Sequence, residues 1–216
     1  LDLTGNLSRL EARQVHRYLP LTLAPNIRHY VRDAITQGQA SQVKLRVKGD
    51  LQHFPFSDPK LGEFRIAGQI SKVAYSYAPR PSAGKEAAKP SSEWPGLVDV
   101  AGELVFERNG MQVKNARAKL QGAPNLLWSG VEARIANFSE TVVEVKADAK
   151  GPLAEGVRWV VQSPVHAMLE RALEQTTAQG VADYRLRLSL PLQNLEKGKV
   201  SGSLVFANNE LHITPD

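Results

Sequence analysis

The chain has 216 residues, of which 42% are hydrophobic and 23% are charged, a composition that is typical of folded proteins and excludes wholesale disorder. The formal net charge is +5, but the cations are spread along the chain without a basic, aromatic-rich run, which argues against nucleic acid as a partner. The absence of cysteine excludes a disulfide scaffold, a thiolate metal site and a cysteine nucleophile.

The first part of the chain predicts a strand end over residues 1–5, a short helix over 11–19 and a longer amphipathic helix over 27–35. The longer helix is indicated by apolar residues at the spacing of one helical face, with Pro25 near its start and Gly38 just past its end. These apolar residues are Ile27, Tyr30, Val31, Ala34 and Ile35.

Most of the remaining chain predicts β-strands, because apolar and polar residues alternate with a period of two. Strands buried on both faces would show continuous apolar runs, so this alternation favours an antiparallel sheet with one apolar face. The alternating segments are residues 43–48, 98–106, 143–149 and 184–190, and shorter runs occur at 64–70 and 198–204.

Turn chemistry separates these strands. The Asn109-Gly110 pair is a hairpin signal, and Asn208-Asn209 has a similar place near the end of the chain. Residues 79–95 are rich in Pro, Ser, Ala and Lys and predict an exposed insertion between strands. Glycines within or beside strands predict bulges and sheet bending; they are Gly62, Gly68, Gly102, Gly198 and Gly202.

A second amphipathic helix is predicted over residues 165–173, with Ser163 as its cap, Pro164 at its first position and Gly180 beyond its end. Its apolar pattern repeats that of residues 27–35, and each helix is followed by two similar strands. The repeat predicts two units, 1–162 and 163–216, within one continuous domain of an elongated protein. Both ends of the sequence have the character of a segment cut from a longer chain.

No catalytic or metal-binding site is predicted, and no cofactor is expected. The histidines lack metal-ligand spacing and are expected to be surface or half-buried side chains: His16, His29, His53, His166 and His212. Ser163 is explained by helix capping, since no nucleophile elbow surrounds it. No glycine cluster runs into a helix in the way that a phosphate-binding loop requires.

The alternating pattern leaves the role of the apolar face open. Such faces commonly pack against each other as the core of a sandwich. A groove that holds lipid tails requires the same pattern. The predicted helices carry charges of both signs on their polar faces, which argues against a membrane-surface role.

Several runs together resemble the AsmA-like family of bacterial envelope proteins, most closely its YhdP branch. The runs occur in matching order over nearly the whole chain: 17–20 with the helix to Ile35 and Gly38, 49–56, 62–79 resuming at 94–97, and 163–192. This chain has Tyr30 where the family often carries Trp, and its insertion at 79–93 is longer than usual.

The resemblance implies a β-rich fold in which a long, strongly curved antiparallel sheet forms an open apolar groove in the periplasm, within a protein anchored in the inner membrane. It implies a bridge along which phospholipids move between inner and outer membranes. Expected partners are phospholipid acyl chains, neighbouring segments of the same chain and membrane proteins at either end. The residues expected to face the groove are Val43, Leu45, Val47, Phe64, Ile66, Ile70, Val100, Leu104, Phe106, Val143, Val145, Leu186, Leu188, Val200 and Leu204.

Two other functions compete with this interpretation. A structural or assembly module of the envelope would have a closed, packed core and a specific protein partner. A hydrolase acting on envelope polymers is the weakest alternative, because it needs paired carboxylates in a cleft. The acidic residues of this chain fall mainly on polar strand faces and in loops.

Overall fold

A computed structural model describes residues 1–17, 25–76, 95–140, 142–163, 166, 173–191, 197–206 and 209–212. The chain is mainly β, as the alternation predicted. Eleven strands are described: β1 (Asp2–Glu11), β2 (Ile35–Gly49), β3 (Gly62–Tyr75), β4 (Leu97–Glu107), β5 (Gly110–Leu120), β6 (Ala123–Ile135), β7 (Val142–Pro152), β8 (Thr177–Gln179), β9 (Val181–Pro191), β10 (Lys199–Phe206) and β11 (Glu210–His212).

Nine of these strands form one antiparallel sheet in the order β1-β2-β3-β4-β5-β6-β7-β9-β10. The order follows the chain, because short connections between antiparallel strands keep sequential strands adjacent. Strands β1 and β10 are the two edges and do not pair with each other in the described part of the chain. Strands β8 and β11 pair separately.

Helices are few. A 3₁₀ helix, Ala12–Arg17, occupies much of the range predicted as a short helix, and helix α1 spans Pro25–Ala34. The helix predicted over 27–35 is therefore present, but Ile35 already begins β2. The amphipathic character of helix α1 stays a prediction, since the side chains of residues 25–27 are not among those described.

Helix α2, Leu153–Val161, was not predicted, and it lies just before the predicted second helix. That helix, over residues 165–173, falls largely outside the described residues, as do residues 79–94 of the predicted 79–95 insertion and Asn208. The strand part of the predicted repeat is described: β2 pairs with β3 and β9 pairs with β10, both antiparallel. The division into two units stays a prediction.

Two further expectations needed correction. Residues 1–5 are not the end of a strand but belong to β1, which continues to Glu11. The β4–β5 hairpin turns through Arg108 and Asn109, since Glu107 pairs with Gly110, so the turn lies one residue earlier than Asn109-Gly110. Arg108 has a φ of 50°, and a left-handed turn residue matches the twist of the strands.

Two of the predicted glycines lie at bulges, on the strand opposite the extra residue: Gly68 faces residues 42 and 43, and Gly102 faces residues 115 and 116. Each of the strands β2 to β6 has an irregularity in register beside a residue with φ between 48° and 56°, and these residues are Gln42, Lys72, Asp99, Asn115 and Gly130. Further irregularities occur in the pairs β2–β3, β3–β4, β4–β5 and β5–β6. A bulge places two residues opposite one, bends its strand and increases the local twist. Bending is therefore present, but four of these five residues with positive φ are polar residues rather than glycines.

All strands of the nine-stranded sheet run between the same two ends of the sheet. The end that we call the turn end contains the Arg108–Asn109 turn, the 50–61 loop and residues 136–140. The helix end contains the 3₁₀ helix Ala12–Arg17 and helices α1 and α2. This arrangement positions the candidate site.

Candidate functional site: the apolar face of the sheet

One face of the nine-stranded sheet is apolar from edge to edge. Residues directly opposite in antiparallel neighbours project on the same face, so the register identifies its rows. The row nearest the turn end is Leu45, Ile66, Phe106, Met111, Ile135, Val143 and Leu190. The next is Gly68, Leu104, Val113, Ala133, Val145, Leu188 and Val200.

Further rows approach the helix end. One contains Ala147, Leu186 and Gly202, and the next contains Ala118, Trp128, Ala149, Tyr184 and Leu204. No charged side chain occurs in any of these four rows. We call this surface the apolar face.

The structure brings all the sequence-predicted groove residues to this face. Val43 and Val47 lie opposite Leu7 and Leu3 of β1, Phe64 lies opposite Val47, and Ile70 lies opposite Gly102. Val100 lies opposite Val73. The remaining predicted residues belong to the rows above. Whether lipid contacts any of them stays a prediction.

The prediction missed the contributions of β1, β5 and β6. Leu3 and Leu7 extend the face on β1, and Met111, Val113 and Ile135 fill its centre. The signal was present in the alternation of Met111, Val113 and Ile135 with polar residues. It was obscured because bulges at Asn115 and Gly130 shift the phase within each strand.

The opposite face, which we call the polar face, is charged. Glu132 lies opposite Lys146, which in turn lies opposite Arg187, and Asp148 lies opposite Arg185. At the β1 edge, Arg46 donates a hydrogen bond to the Asp2 carboxylate and holds the pKa of that carboxyl below its usual value. Val105 is an exception, since it belongs to this face and is only 2% exposed.

The middle of the apolar face is neither buried nor fully exposed. Leu104, Val113, Val145, Leu186 and Leu188 are all half-buried. At the two edges of the sheet the face is more open, with Leu7 51% exposed on β1 and Leu204 40% exposed on β10. In a closed core these side chains would be inaccessible to water. Because they remain partly accessible, apolar groups other than the described residues can still contact them.

The helix end of the apolar face is covered by protein. Ala12 of the 3₁₀ helix packs with Val73, Val100 and Ala118 in one buried cluster. Trp159 of α2 packs with a second cluster, Leu120, Ala123, Leu126 and Ala149, and Trp128 contacts both clusters. The Trp128 and Trp159 rings are 6.2 Å apart at an angle of 61°.

A buried carboxylate anchors α2 to the sheet. Glu155, 8% exposed, accepts hydrogen bonds from the backbone N–H groups of Asn125 at 2.9 Å and Leu126 at 3.1 Å. Its other oxygen accepts from Nδ2 of Asn125 at 2.7 Å. Buried charges require such partners, because an unpaired carboxylate would be strongly destabilised.

Tyr184 lies directly under α2. Burial, and secondly the negative charge of Glu155, raise the pKa of the Tyr184 phenol to about 12. The phenol donates a hydrogen bond to the Pro152 carbonyl at 3.3 Å. Gly156 allows the helix to approach, since a Cβ at that position would lie 2.4 Å from the phenol oxygen.

Among the described residues, the turn end of the face is covered over β2 and β3. There Phe56, which is fully buried, packs over Gly49 and Gly62, and Phe54 contacts Phe64 with ring centroids 4.9 Å apart. Arg108 donates hydrogen bonds to the Phe56 and Gly62 carbonyls and fixes this loop.

The described residues contain no group of three or more His, Asp or Glu side chains that could hold a metal ion. Their helices are all too short or too polar to cross a bilayer.

Comparison with known proteins identifies the family. The model of the YhdP protein family matches residues 1–216. The chain is 26% identical over 216 residues to the intermembrane phospholipid transporter YhdP of Escherichia coli K12 and covers 16% of that protein's length. No solved structure matches the chain. The match over the entire sequence shows that this chain belongs to the YhdP family.

Proposed function

We propose that this chain is a segment of a periplasmic, bridge-like protein that carries phospholipids between the inner and outer membranes along the apolar face. The observation that carries the proposal is a half-buried apolar face that extends from β2 to β10 without a charged side chain in its four rows. The similarity to an intermembrane phospholipid transporter indicates the class of ligand.

The chemistry of the face suits transport better than tight binding. Each methylene removed from water contributes about 0.8 kcal/mol, and this contribution is non-directional. Equivalent apolar rows on successive strands therefore give a lipid tail many positions of similar energy. A tail held in this way can move across the strands without breaking a specific contact.

The bulges support a curved, open groove. Strands β2 to β6 each have a bulge beside a residue with positive φ. The row that lies between the row of Leu104 and the row of Trp128 contains the small residues Gly102, Ala116 and Ala147 together with Leu186. Side chains converge on the inner side of a bend, so small residues suit that position. We infer that the apolar face lies on the concave side.

The open edges suit neighbouring segments of the same protein. Within the described ranges, strands β1 and β10 each present one unpaired side of backbone N–H and C=O groups, and such edges accept a further strand. The exposed Leu3, Leu7, Val200 and Leu204 would then continue the apolar face into the next segment. We propose this continuation, an anchor in the inner membrane and membrane proteins at either end as the setting of the segment, and residues 1–162 and 163–216 as its two repeat units.

Charge substitutions on the two faces of one strand test the proposal. Leu186→Glu places a carboxylate on the apolar face, whereas Arg187→Glu makes a matched change on the exposed polar face. Desolvating an unpaired carboxylate costs several kcal/mol, so Leu186→Glu should reduce the rate of phospholipid transfer by about tenfold or more. Arg187→Glu should leave the rate close to that of the unsubstituted protein.

The measurement is transfer of pulse-labelled phospholipid from inner to outer membrane in cells that carry the full-length protein. Protein abundance is followed in parallel, so that loss of folding is not mistaken for loss of transport. Normal transfer with Leu186→Glu at normal abundance would contradict the proposal. It would favour a scaffold module in which the face serves only as a packing surface.

A further inference from the structure

The two ends of the apolar face differ in how they are covered. On β9, Tyr184 lies beneath α2, and Gly156 makes the close approach. Leu190 of the same strand lies in the row nearest the turn end and is half-buried, as are Met111 and Ile135 in that row. Among the described residues, the face over β5 to β9 is therefore covered toward the helix end and left uncovered toward the turn end.

The open length of the face matches one lipid tail. From Leu190 to Leu186 is four residues, or about 13 Å at a rise of about 3.3 Å per residue, and from Leu190 to Tyr184 is about 20 Å. The hydrocarbon core of a bilayer is about 30 Å thick, so the tails of one leaflet reach about 15 Å. A tail that begins at the turn end would thus finish close to the α2 cover.

The helix end of the face is unsuited to a hydrated, anionic head group. At the turn end Lys197 and Lys199 are exposed at the start of β10, and Lys199 lies on the polar face, opposite Ser189. At the helix end of the same strands, the face is occupied by the indole rings of Trp128 and Trp159 and the apolar cluster below α2. A phosphate placed in that cluster would lose its water without gaining an opposite charge.

We propose that a phospholipid on this part of the face lies along the strands, with its phosphate at the turn end and its tails pointing toward α2. The proposal rests on the proposed function and adds an orientation to it. In this orientation the ends of the lipid tails contact the indole rings of Trp159 and Trp128. Lipids would then move sideways from strand to strand, with head groups kept in water along one side of the sheet.

Photocrosslinking at two depths on one strand tests this orientation. The photoreactive residue p-benzoylphenylalanine replaces Leu190 or Leu186 in the full-length protein in cells, and Arg187 on the polar face serves as the control. After irradiation the adducts are treated with mild alkali, which hydrolyses the ester bonds of the lipid. Mass spectrometry then shows whether a fatty acid or a phosphate-containing fragment is attached.

At Leu186 the adducts are expected to carry fatty acid only. At Leu190 a substantial fraction should keep the glycerophosphate fragment, at least several-fold more than at Leu186. Equal fractions at both positions, or more phosphate at Leu186, would overturn the orientation while leaving lipid binding intact. The absence of lipid adducts at both positions, with the protein present at normal abundance, would contradict the proposed function itself.

Discussion

Replacing Glu155 should loosen α2 from the sheet, because this carboxylate is the polar anchor of the helix. In Glu155→Ala the Leu126 N–H group loses its 3.1 Å hydrogen bond in a buried position, and both Asn125 donors lose theirs. An unsatisfied buried donor costs about 1–3 kcal/mol, and a hydrogen bond to a charged group contributes about 1.5–3 kcal/mol. Water can reach Asn125, which is exposed, so we expect a loss of about 3 kcal/mol rather than the full sum.

The Glu155→Gln variant separates geometry from charge. Its amide oxygen can still accept from the two backbone N–H groups, and its NH₂ group can donate to the Asn125 side chain if that amide turns over. The expected loss is about 1 kcal/mol. Lys150→Ala is the control, since the Lys150–Asp183 pair at 3.4 Å is exposed and should contribute less than about 1 kcal/mol.

Hydrogen–deuterium exchange and urea unfolding provide the measurements. In Glu155→Ala, exchange should accelerate in residues 123–126 and 153–161 before it does so in β2 and β3, because the loosening is local. If Glu155→Ala is no more destabilising than Lys150→Ala, the carboxylate does not anchor the helix. If Glu155→Gln is as damaging as Glu155→Ala, the anchor depends on the negative charge rather than on the two accepted backbone hydrogen bonds.

Two further predictions concern the same contact. Gly156→Ala would place a methyl group 2.4 Å from the Tyr184 phenol oxygen and should destabilise the protein by about 1–3 kcal/mol, as judged from its urea midpoint. In a Tyr184→Ala background the same change should stabilise by up to about 1 kcal/mol, since alanine favours helix; destabilisation in both backgrounds would show that the ring is not the obstacle. The raised pKa of Tyr184, about 12, predicts a pH dependence. The unfolded phenol releases its proton near pH 10, so the contribution of Tyr184 to stability is present below pH 10 and is lost as the pH rises toward 12. The urea midpoint should therefore fall more steeply between pH 10 and 12 in the unsubstituted protein than in Tyr184→Phe, and parallel curves would contradict the assignment.

The alternation of side chains made most of the sheet predictable. In β7 and β9 the apolar residues occupy every second position without interruption, and register adds only the neighbour of each. Alternation assigns every second residue of a strand to the same face, and the apolar residues must share the buried one. The residues expected to face the groove could therefore be chosen without knowing the order of the strands. The side of the sheet that helices cover could not be inferred in this way, since it depends on connections that are distant in sequence.

Helix α2 was missed for local reasons. It has only nine residues and contains Gly156 and several β-branched residues, and its N-cap residue, Pro152, provides no side-chain hydrogen bond. Each of these features weakens a sequence-based helix prediction. Its stability comes instead from packing of Leu153 and Trp159 and from the Glu155 hydrogen bonds, which are tertiary interactions.

The bulges have a consequence for how the length of a strand can change. In a regular strand, removing one residue turns every later side chain to the other face, so apolar residues would enter water and charges would enter the groove. At Lys72 or Asn115 the extra residue has no partner across the ladder. Deleting it would straighten the strand while both halves kept their faces. The bulges are therefore the positions where these strands can lose a residue without exchanging their two surfaces.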